Sequence, residues 1–293
     1  MNLENKIKNL PGPILVIGAS GFIGANLLRS CLQSREDVTG TIFYGDSWRL
    51  HDIPAANIAF LNLQDPVSVR SVLYRVQPQT IFDCSSFGAY SFEQEYERIH
   101  STNYLSFIRL MEEISELNVS AYIHAGSSSE YGLNASAPNE ADALIPNSHY
   151  AVSKAATSQA IAFYGKMRGI PVVNLRLYSV YGPYEDSSRL IPVLCEQSLH
   201  GKFPVFANPK VTRDFVHIDD VIAAFIDAAL HIDPAIAGES FNIGTGIQTS
   251  LADLANLTQK LLIFRTKLNS TQKLVVHGIL IAGMQTRKKP KKF

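Results

Sequence analysis

The chain is poor in cysteine, tryptophan and methionine: three Cys, one Trp and four Met among 293 residues. Cys31, Cys84 and Cys195 lie far apart, without the close pairs used by structural zinc or a redox dithiol. That argues against a disulfide framework and predicts buried thiols in a reducing, cytoplasmic setting. The eight histidines have no metal-ligand spacing either, so no metal is expected. No basic segment followed by an apolar one opens the sequence, and no secretory signal is expected. The longest apolar run near the end, 274–284, is broken by His277 and is too short to span a bilayer. Acidic residues are missing from one region only. None follows Asp253, whereas nine Lys or Arg fall from Lys260 onward. A basic end of this kind suits a nucleic-acid or membrane arm. The reading adopted is a solvated terminus that adds little to the core, with neither nucleic acid nor membrane as a partner.

What is present describes a soluble α/β protein. Hydrophobic residues make up 46% and charged residues 18%, with a formal net charge of zero. Short apolar runs alternate with helical patterns, which argues for βαβ units and a parallel, doubly wound sheet. Strands are predicted over 38–44, 57–61, 80–84, 121–125 and 172–177. Helices are predicted over 67–76, 99–117, 190–200 and 221–231.

Two stretches carry the chemistry. The first is Gly18-Ala19-Ser20-Gly21-Phe22-Ile23-Gly24, directly after the apolar run Ile14-Leu15-Val16-Ile17. It reads as strand, tight turn and helix over 22–32. Glycines let the backbone approach a pyrophosphate, and the helix start supplies N–H donors. The spacing is G-x-x-G-x-x-G, and an ordinary βα turn is the competing account. The second stretch joins Ser127-Ser128-Ser129-Glu130-Tyr131-Gly132 to Tyr150-Ala151-Val152-Ser153-Lys154. On a helix, positions four apart lie one above the other, so the Lys154 ammonium is expected near the Tyr150 phenol and favours its ionised form. Such a phenol can exchange a proton with a substrate hydroxyl.

Together with Arg176-Leu177-Tyr178-Ser179-Val180-Tyr181-Gly182-Pro183, the run 213–221 and Phe241-Asn242-Ile243-Gly244, these motifs resemble the extended short-chain dehydrogenase/reductases. The likeness is to the NAD-dependent epimerase/dehydratase family acting on nucleotide sugars, and it runs from about Ile14 to Leu262. It implies a Rossmann-type doubly wound sheet with a smaller C-terminal substrate lobe. The expected division is 11–180 for the dinucleotide-binding domain with the catalytic residues, 181–265 for a partly interleaved substrate lobe, and 266–293 for the atypical basic tail.

The resemblance also assigns roles. Gly18, Ser20, Gly21, Phe22, Ile23 and Gly24 would hold the pyrophosphate, Asn62 and Leu63 the adenine, and Ser85 would pass under the dinucleotide. Tyr150 would move the hydroxyl proton, Lys154 would hold the cofactor ribose, and Ser127, or Ser128 with a one-residue gap, would bond the reacting oxygen. Ser179 and Tyr181 would border the sugar. Arg213 would bind the nucleotide phosphates, an ion pair with Asp214 or Asp219 being its competing account. Asn commonly stands where this chain has Ser179. No acid ends the second strand, and Asp46 and Arg49 follow in a loop, which leans to NADP(H) over NAD(H) through Arg49. His124, in an apolar strand, reads as a core histidine. A homodimer through helices 99–117 and 150–164 is implied by the resemblance alone. The implied reaction is nucleotide-sugar 4-epimerisation or 4-ketoreduction. The alternatives are a 4,6-dehydratase, if Glu130 reaches the acid position, and a non-catalytic dinucleotide-binding protein.

Overall fold

The computed structural model describes residues 1–43, 45, 47–90, 92–200 and 208–267, with side chains inside the last helix described through residue 260. The chain starts with a short helix α1 (Leu3–Lys8), capped by the Asn2 side chain, which accepts from Asn5 N. Strand β1 (Ile14–Ile17) follows, and all four of its residues are buried. A run with no polar face suits a parallel sheet covered on both sides. Helix α2 (Phe22–Leu32) buries Ala25, Leu27, Leu28 and Cys31 on one face. Strands β2 (Val38–Ile42) and β3 (Ile58–Phe60) come next. Helix α3 (Pro66–Val76) starts on Asp65, whose side chain accepts from Val67 N at 3.0 Å, with proline at its first position.

Strand β4 (Thr80–Asp83) leads into helix α4 (Tyr96–His100), a π turn over Ser101–Leu105, and helix α5 (Ser106–Ile114). Strand β5 (Ala121–Ser127) precedes the long helix α6 (His149–Arg168). That helix is capped at one end by Ser148 and stopped at the other by Gly169 at φ 67°, with Lys166 and Arg168 in its last turn. Strands β6 (Val172–Leu177) and β7 (Ser179–Tyr181), helix α7 (Leu190–Leu199), strand β8 (Thr212–His217) and helix α8 (Ile218–His231) follow. Strands β9 (Ser240–Ile243) and β10 (Gln248–Ser250) and helix α9 (Leu251–Lys267) complete the described chain.

The main sheet runs β3-β2-β1-β4-β5-β6-β9, and every pairing in it is parallel. This is the doubly wound Rossmann arrangement that the alternation of elements predicts. Side chains of α1, α2 and α8 pack on one face of the sheet, and those of α3, α5 and α6 on the other. Strand order reverses between β1 and β4, and open sheets of this kind bind ligands at that crevice. Strand β9 comes from the C-terminal part of the chain and pairs with β6. A second sheet, β10-β8-β7, stands apart from the first. The tail 268–293, the apolar run within it, and Tyr44 and Asp46 lie outside the described residues.

Five elements depart from the sequence reading by two residues or more, among them β5, which runs on to Ser127, and α6, which runs on to Arg168. β2 stops at Ile42, the 99–117 helix is interrupted by the π turn and ends at Ile114, and α8 begins three residues early. The early start has a local cause. His217 caps the helix, its Nδ1 accepting from Asp219 N at 3.3 Å.

Candidate functional site

The turn after β1 is forced to be glycine. Gly18 sits at φ +76°, and a Cβ there would come within 2.9 Å of the Cys84 carbonyl carbon and oxygen and the Ser85 nitrogen. The turn thus lies directly against the end of β4, with Ala19 N donating to Thr41 O at 2.9 Å and Gly21 N to Gly18 O at 3.0 Å. Helix α2 opens at Gly21 without a side-chain cap, so backbone N–H groups of its first turn face outward.

A groove of about 310 Å³ opens over this crevice. Gly18, Ser20, Gly21, Asn62, Leu63 and Ser85 line it, together with Thr41, Phe43 and Phe87. A backbone cradle too tight for any Cβ, facing a helix start and flanked by Phe43 and Leu63, fits a dinucleotide. Phe22 and Ile23 instead begin α2, packed against the core, and Gly24 lies beneath Gly18.

Arg49 is placed differently from the expected phosphate contact. Its Nε donates to Tyr184 O at 2.7 Å, its Nη1 reaches Ser20 O at 3.4 Å, and its guanidinium lies over Trp48. Tyr184 in turn stacks on Trp48 and receives Arg29 over its ring at 4.0 Å. Arg49 therefore ties the Pro183–Tyr184 turn to the glycine turn.

The floor behind the groove is a buried polar chain. Asp83, at the end of β4, accepts from Ser85 N at 3.0 Å, Ser85 Oγ at 2.6 Å and Tyr122 OH at 2.7 Å, and contacts His124 Nδ1 at 3.0 Å. Burial alone would raise the Asp83 carboxyl, but His124 and these hydroxyls pull it down to about 2. Burial, then the charge of Lys154, lowers His124. Lys154 is 1% exposed, and its Nζ donates to Ala125 O at 2.8 Å. The ammonium thus turns to strand β5, and among the described residues no hydrogen bond joins it to Tyr150. One helical turn earlier, Tyr150 is half-buried. Its ring lies 3.5 Å from where a Cβ on Gly88 would stand, next to Phe87 of the groove. Asn103 fixes that loop to α6: it exchanges 2.8 Å hydrogen bonds with the Phe87 backbone and donates to Ser153 Oγ at 2.9 Å.

At the end of β5, Ser127 caps the turn Ser128–Tyr131. Its Oγ accepts from Ser129 N at 3.1 Å, and Glu130 Oε1 accepts from Ser127 N at 3.0 Å. Glu130 is fully buried. Its carboxylate meets Arg176 Nε at 2.7 Å and Asn174 Nδ2 at 3.2 Å, facing the core. The capping box aims Glu130 inward, which takes it out of the acid position that a one-residue gap would give it.

A second cavity, of about 510 Å³, is lined by Ser128, Tyr131, Tyr178, Ser179, Arg213, Asp214 and Gln248. Ser128 reaches it, whereas Ser127 does not line it. Tyr181 packs edge-on against Phe215 and His217 and is absent from that lining. Arg213 is exposed, and of its two expected competitors Asp214 is engaged elsewhere. It accepts from Thr245 N, Thr245 Oγ1 and Gly246 N at 2.9, 2.7 and 2.8 Å. Among the described residues no acid pairs with Arg213. The sequence reading missed Tyr178, although it lies inside the Arg176–Pro183 motif, and it missed Gln248 and the Ala135–Pro138 edge of this cavity, which carry no motif.

Among the described residues, no three His, Cys, Asp or Glu side chains gather as a metal site, and no helix is long and apolar enough to cross a membrane. The three cysteines are free, and burial pushes the Cys31 thiol up to about 12.

Tyr150 and Lys154 line neither cavity, and the two cavities share no lining residue among the described residues. The chain is a member of the NAD dependent epimerase/dehydratase family, whose model matches residues 14–244, and it is an enzyme of that family. It is 28% identical to the UDP-glucose 4-epimerase of Mycolicibacterium smegmatis over 251 residues, 82% of this chain and 79% of that protein. The solved UDP-glucuronic acid 4-epimerase from Bacillus cereus, in complex with UDP-glucuronic acid and NAD, superposes with a TM-score of 0.71 at 28% identity. That match covers 85% of this chain and 82% of the other. The dTDP-glucose 4,6-dehydratase from Bacillus anthracis, in complex with NAD, gives 0.71 at 27% identity over 85% and 80%. Both reaction types are thus represented among the relatives.

Proposed function

We propose that this enzyme is an NAD(P)-dependent nucleotide-sugar 4-epimerase or 4-ketoreductase. When bound in the groove, the nicotinamide supplies or accepts the hydride at the sugar carbon. Tyr150 exchanges the proton of the hydroxyl on that carbon, with Ser128 or Ser127 bonding the same oxygen. Lys154, its ammonium held on β5, would contact the ribose. Arg213 takes the nucleotide phosphates with its forked donors.

One observation carries the choice of reaction. Among the described residues the second cavity has no disengaged carboxylate, because Asp214 is bonded to three donors and Glu130 is locked on Arg176. A 4,6-dehydratase must also eliminate water beside the sugar, which needs an extra acid and base. Serine hydroxyls at 128 and 129 are poor substitutes. Incubation with UDP-, dTDP-, CDP- and GDP-hexoses, read by mass spectrometry, tests this. An isomer, or NAD(P)H consumed with a 4-keto sugar, supports the proposal, and a product lighter by one water overturns it.

The preferred dinucleotide is proposed as NADP(H). Its support is that the described end of β2 carries no acid; the engagement of Arg49 with Tyr184 O and the solved relatives holding NAD point the other way. Titration with both dinucleotides tests it, and tighter NAD(H) binding overturns it. We also propose a cytoplasmic homodimer that buries exposed Val152, Phe163 and Met167 of α6. Light scattering at micromolar concentration tests the dimer, and a monomer would remove it.

A further inference from the structure

His124 and Lys154 form a contact that the proposed chemistry does not use. Strands β4 and β5 pair in a register that sets Asp83 beside His124. Tyr122 and His124, two residues apart on β5, both reach Asp83 Oδ2, while Ser85 occupies Oδ1. An ionised carboxylate only accepts hydrogen bonds, so Asp83 requires the proton on His124 Nδ1. With the ring neutral, Nε2 is left as a bare acceptor. It faces Lys154 Nζ at 3.5 Å, a long contact with a charged donor, in a site where both side chains are almost fully buried. Phe107 packs edge-on against the imidazole, with ring centroids 5.5 Å apart, and fixes its plane.

We infer that His124 is a positioning residue for Lys154: Asp83 sets its tautomer, and the bare Nε2 holds the ammonium at the end of β5. Two N–H groups of Lys154 then have protein acceptors, Ala125 O and His124 Nε2, and the third is left for ligand. The inference rests on the reading of Lys154 as the ribose-holding group. The other titratable groups around the pair are Tyr122 and Cys84, both raised by burial and neutral, and Glu130, neutralised by Arg176. None of them supplies a competing acceptor for Nζ.

The consequence is a shifted titration. Without the acceptor, the buried ammonium loses a stabilising partner and gives up its proton at lower pH. The probes are NADH and NADPH, with binding followed by nicotinamide fluorescence across the alkaline range. In His124→Phe the alkaline loss of affinity should move down by about one pH unit, the scale of one hydrogen bond to a charged group. In His124→Gln the amide oxygen reaches the place of Nε2, and the native profile should return. In His124→Asn only the place of Nδ1 is filled, and the profile should follow the Phe variant. Identical alkaline limbs in all three and in the native protein would overturn the inference and leave His124 a core residue. Long-range 1H–15N spectra of the native protein labelled at histidine read the tautomer without any variant: a proton on Nδ1 is expected, and one on Nε2 overturns the inference. Lys154→Met separates the two levels. If it binds both dinucleotides as well as the native protein does, the reading of Lys154 fails. If it loses affinity while the His124 variants keep the native limb, only the positioning role fails.

Discussion

The two cavities are built on opposite principles. The groove at the sheet crevice is backbone and buried network: a glycine turn pressed on β4, Asp83 saturated by four donors, and Lys154 enclosed behind Tyr150. The second cavity is a rim of side chains on short strands and turns, with Arg213 exposed and no acid among the described residues paired to it. A preorganised buried network costs nothing to arrange at the moment of reaction, which suits chemistry common to many substrates. An exposed rim can change residue by residue without disturbing the fold, which suits substrate choice. Variants in the first should therefore lose turnover or stability, and variants in the second, Ser128 apart, should lose only affinity.

The largest effect is expected at Tyr150. Replacement by Phe keeps the ring against Gly88 and removes the proton, so turnover should fall by roughly 10²–10⁴ while dinucleotide affinity stays within about threefold. Near-native turnover would remove Tyr150 from the proton transfer and leave the buried floor without its proposed purpose.

Much of the groove is legible in the sequence because its signals are local. Helix α2 and strand β6 have the bounds expected for them, each being a periodic or continuous apolar run closed by glycine or polar residues. The second cavity is far less so, since Ser128, Tyr178 and Gln248 meet only once two sheets are assembled. The same holds for Glu130 and Arg176, 46 positions apart, and for Asp83 and His124, which are neighbours only through strand order. Helix 99–117 was read through its π turn because one extra residue per turn barely disturbs an apolar stripe. Helix α1 gave no periodic signal at six residues.

The buried pair behind the turn after β5 supplies the next test. Glu130 and Arg176 are 0% and 4% exposed at the side chain, with Asn174, Tyr131 and Ser158 completing the network. Arg176→Met leaves the Glu130 carboxylate buried without its charge partner, at an expected cost of about 3–5 kcal/mol in urea unfolding. The double change Glu130→Gln, Arg176→Met should recover a large part of that loss. Equal stability of the single variant and the native protein would show that Glu130 is not held as an ion, and would reopen it as an acid for dehydration.

A smaller effect belongs to Glu185, in the turn between β7 and α7. Its Oε2 is buried without a hydrogen-bond partner among the described residues. Burial raises its carboxyl to about 7, against the lowering charge of Arg189, with Asp186 adding a raising charge. The folded protein then holds a proton that the unfolded chain releases above its ordinary value of 4.5. More protons bound in the folded state means that stability falls as pH rises from 4.5 to 7 and is level beyond. Glu185→Gln should flatten that slope, gaining on the order of 1–3 kcal/mol at neutral pH relative to the native protein. Parallel stability curves for the two would show Glu185 ionised and solvated, and the turn more open than the structure has it.

The smallest expected effect is also the cleanest separation of the two regions. Arg213 sits on β8 opposite Thr249, exposed, with Asp214 tied to Thr245 and Gly246. Nothing in the fold needs its charge, so Arg213→Ala should move the melting temperature by less than roughly 2 °C. If the rim exists to hold nucleotide phosphates, the same variant should raise KM for the nucleotide sugar by about tenfold with kcat within twofold. Arg213→Lys should fall between, keeping the charge and losing the forked geometry that matches a phosphate. A native KM in the alanine variant would leave the second cavity without its phosphate contact. A large drop in melting temperature would make Arg213 part of the scaffold, and the contrast between buried floor and replaceable rim would fail at its most exposed residue.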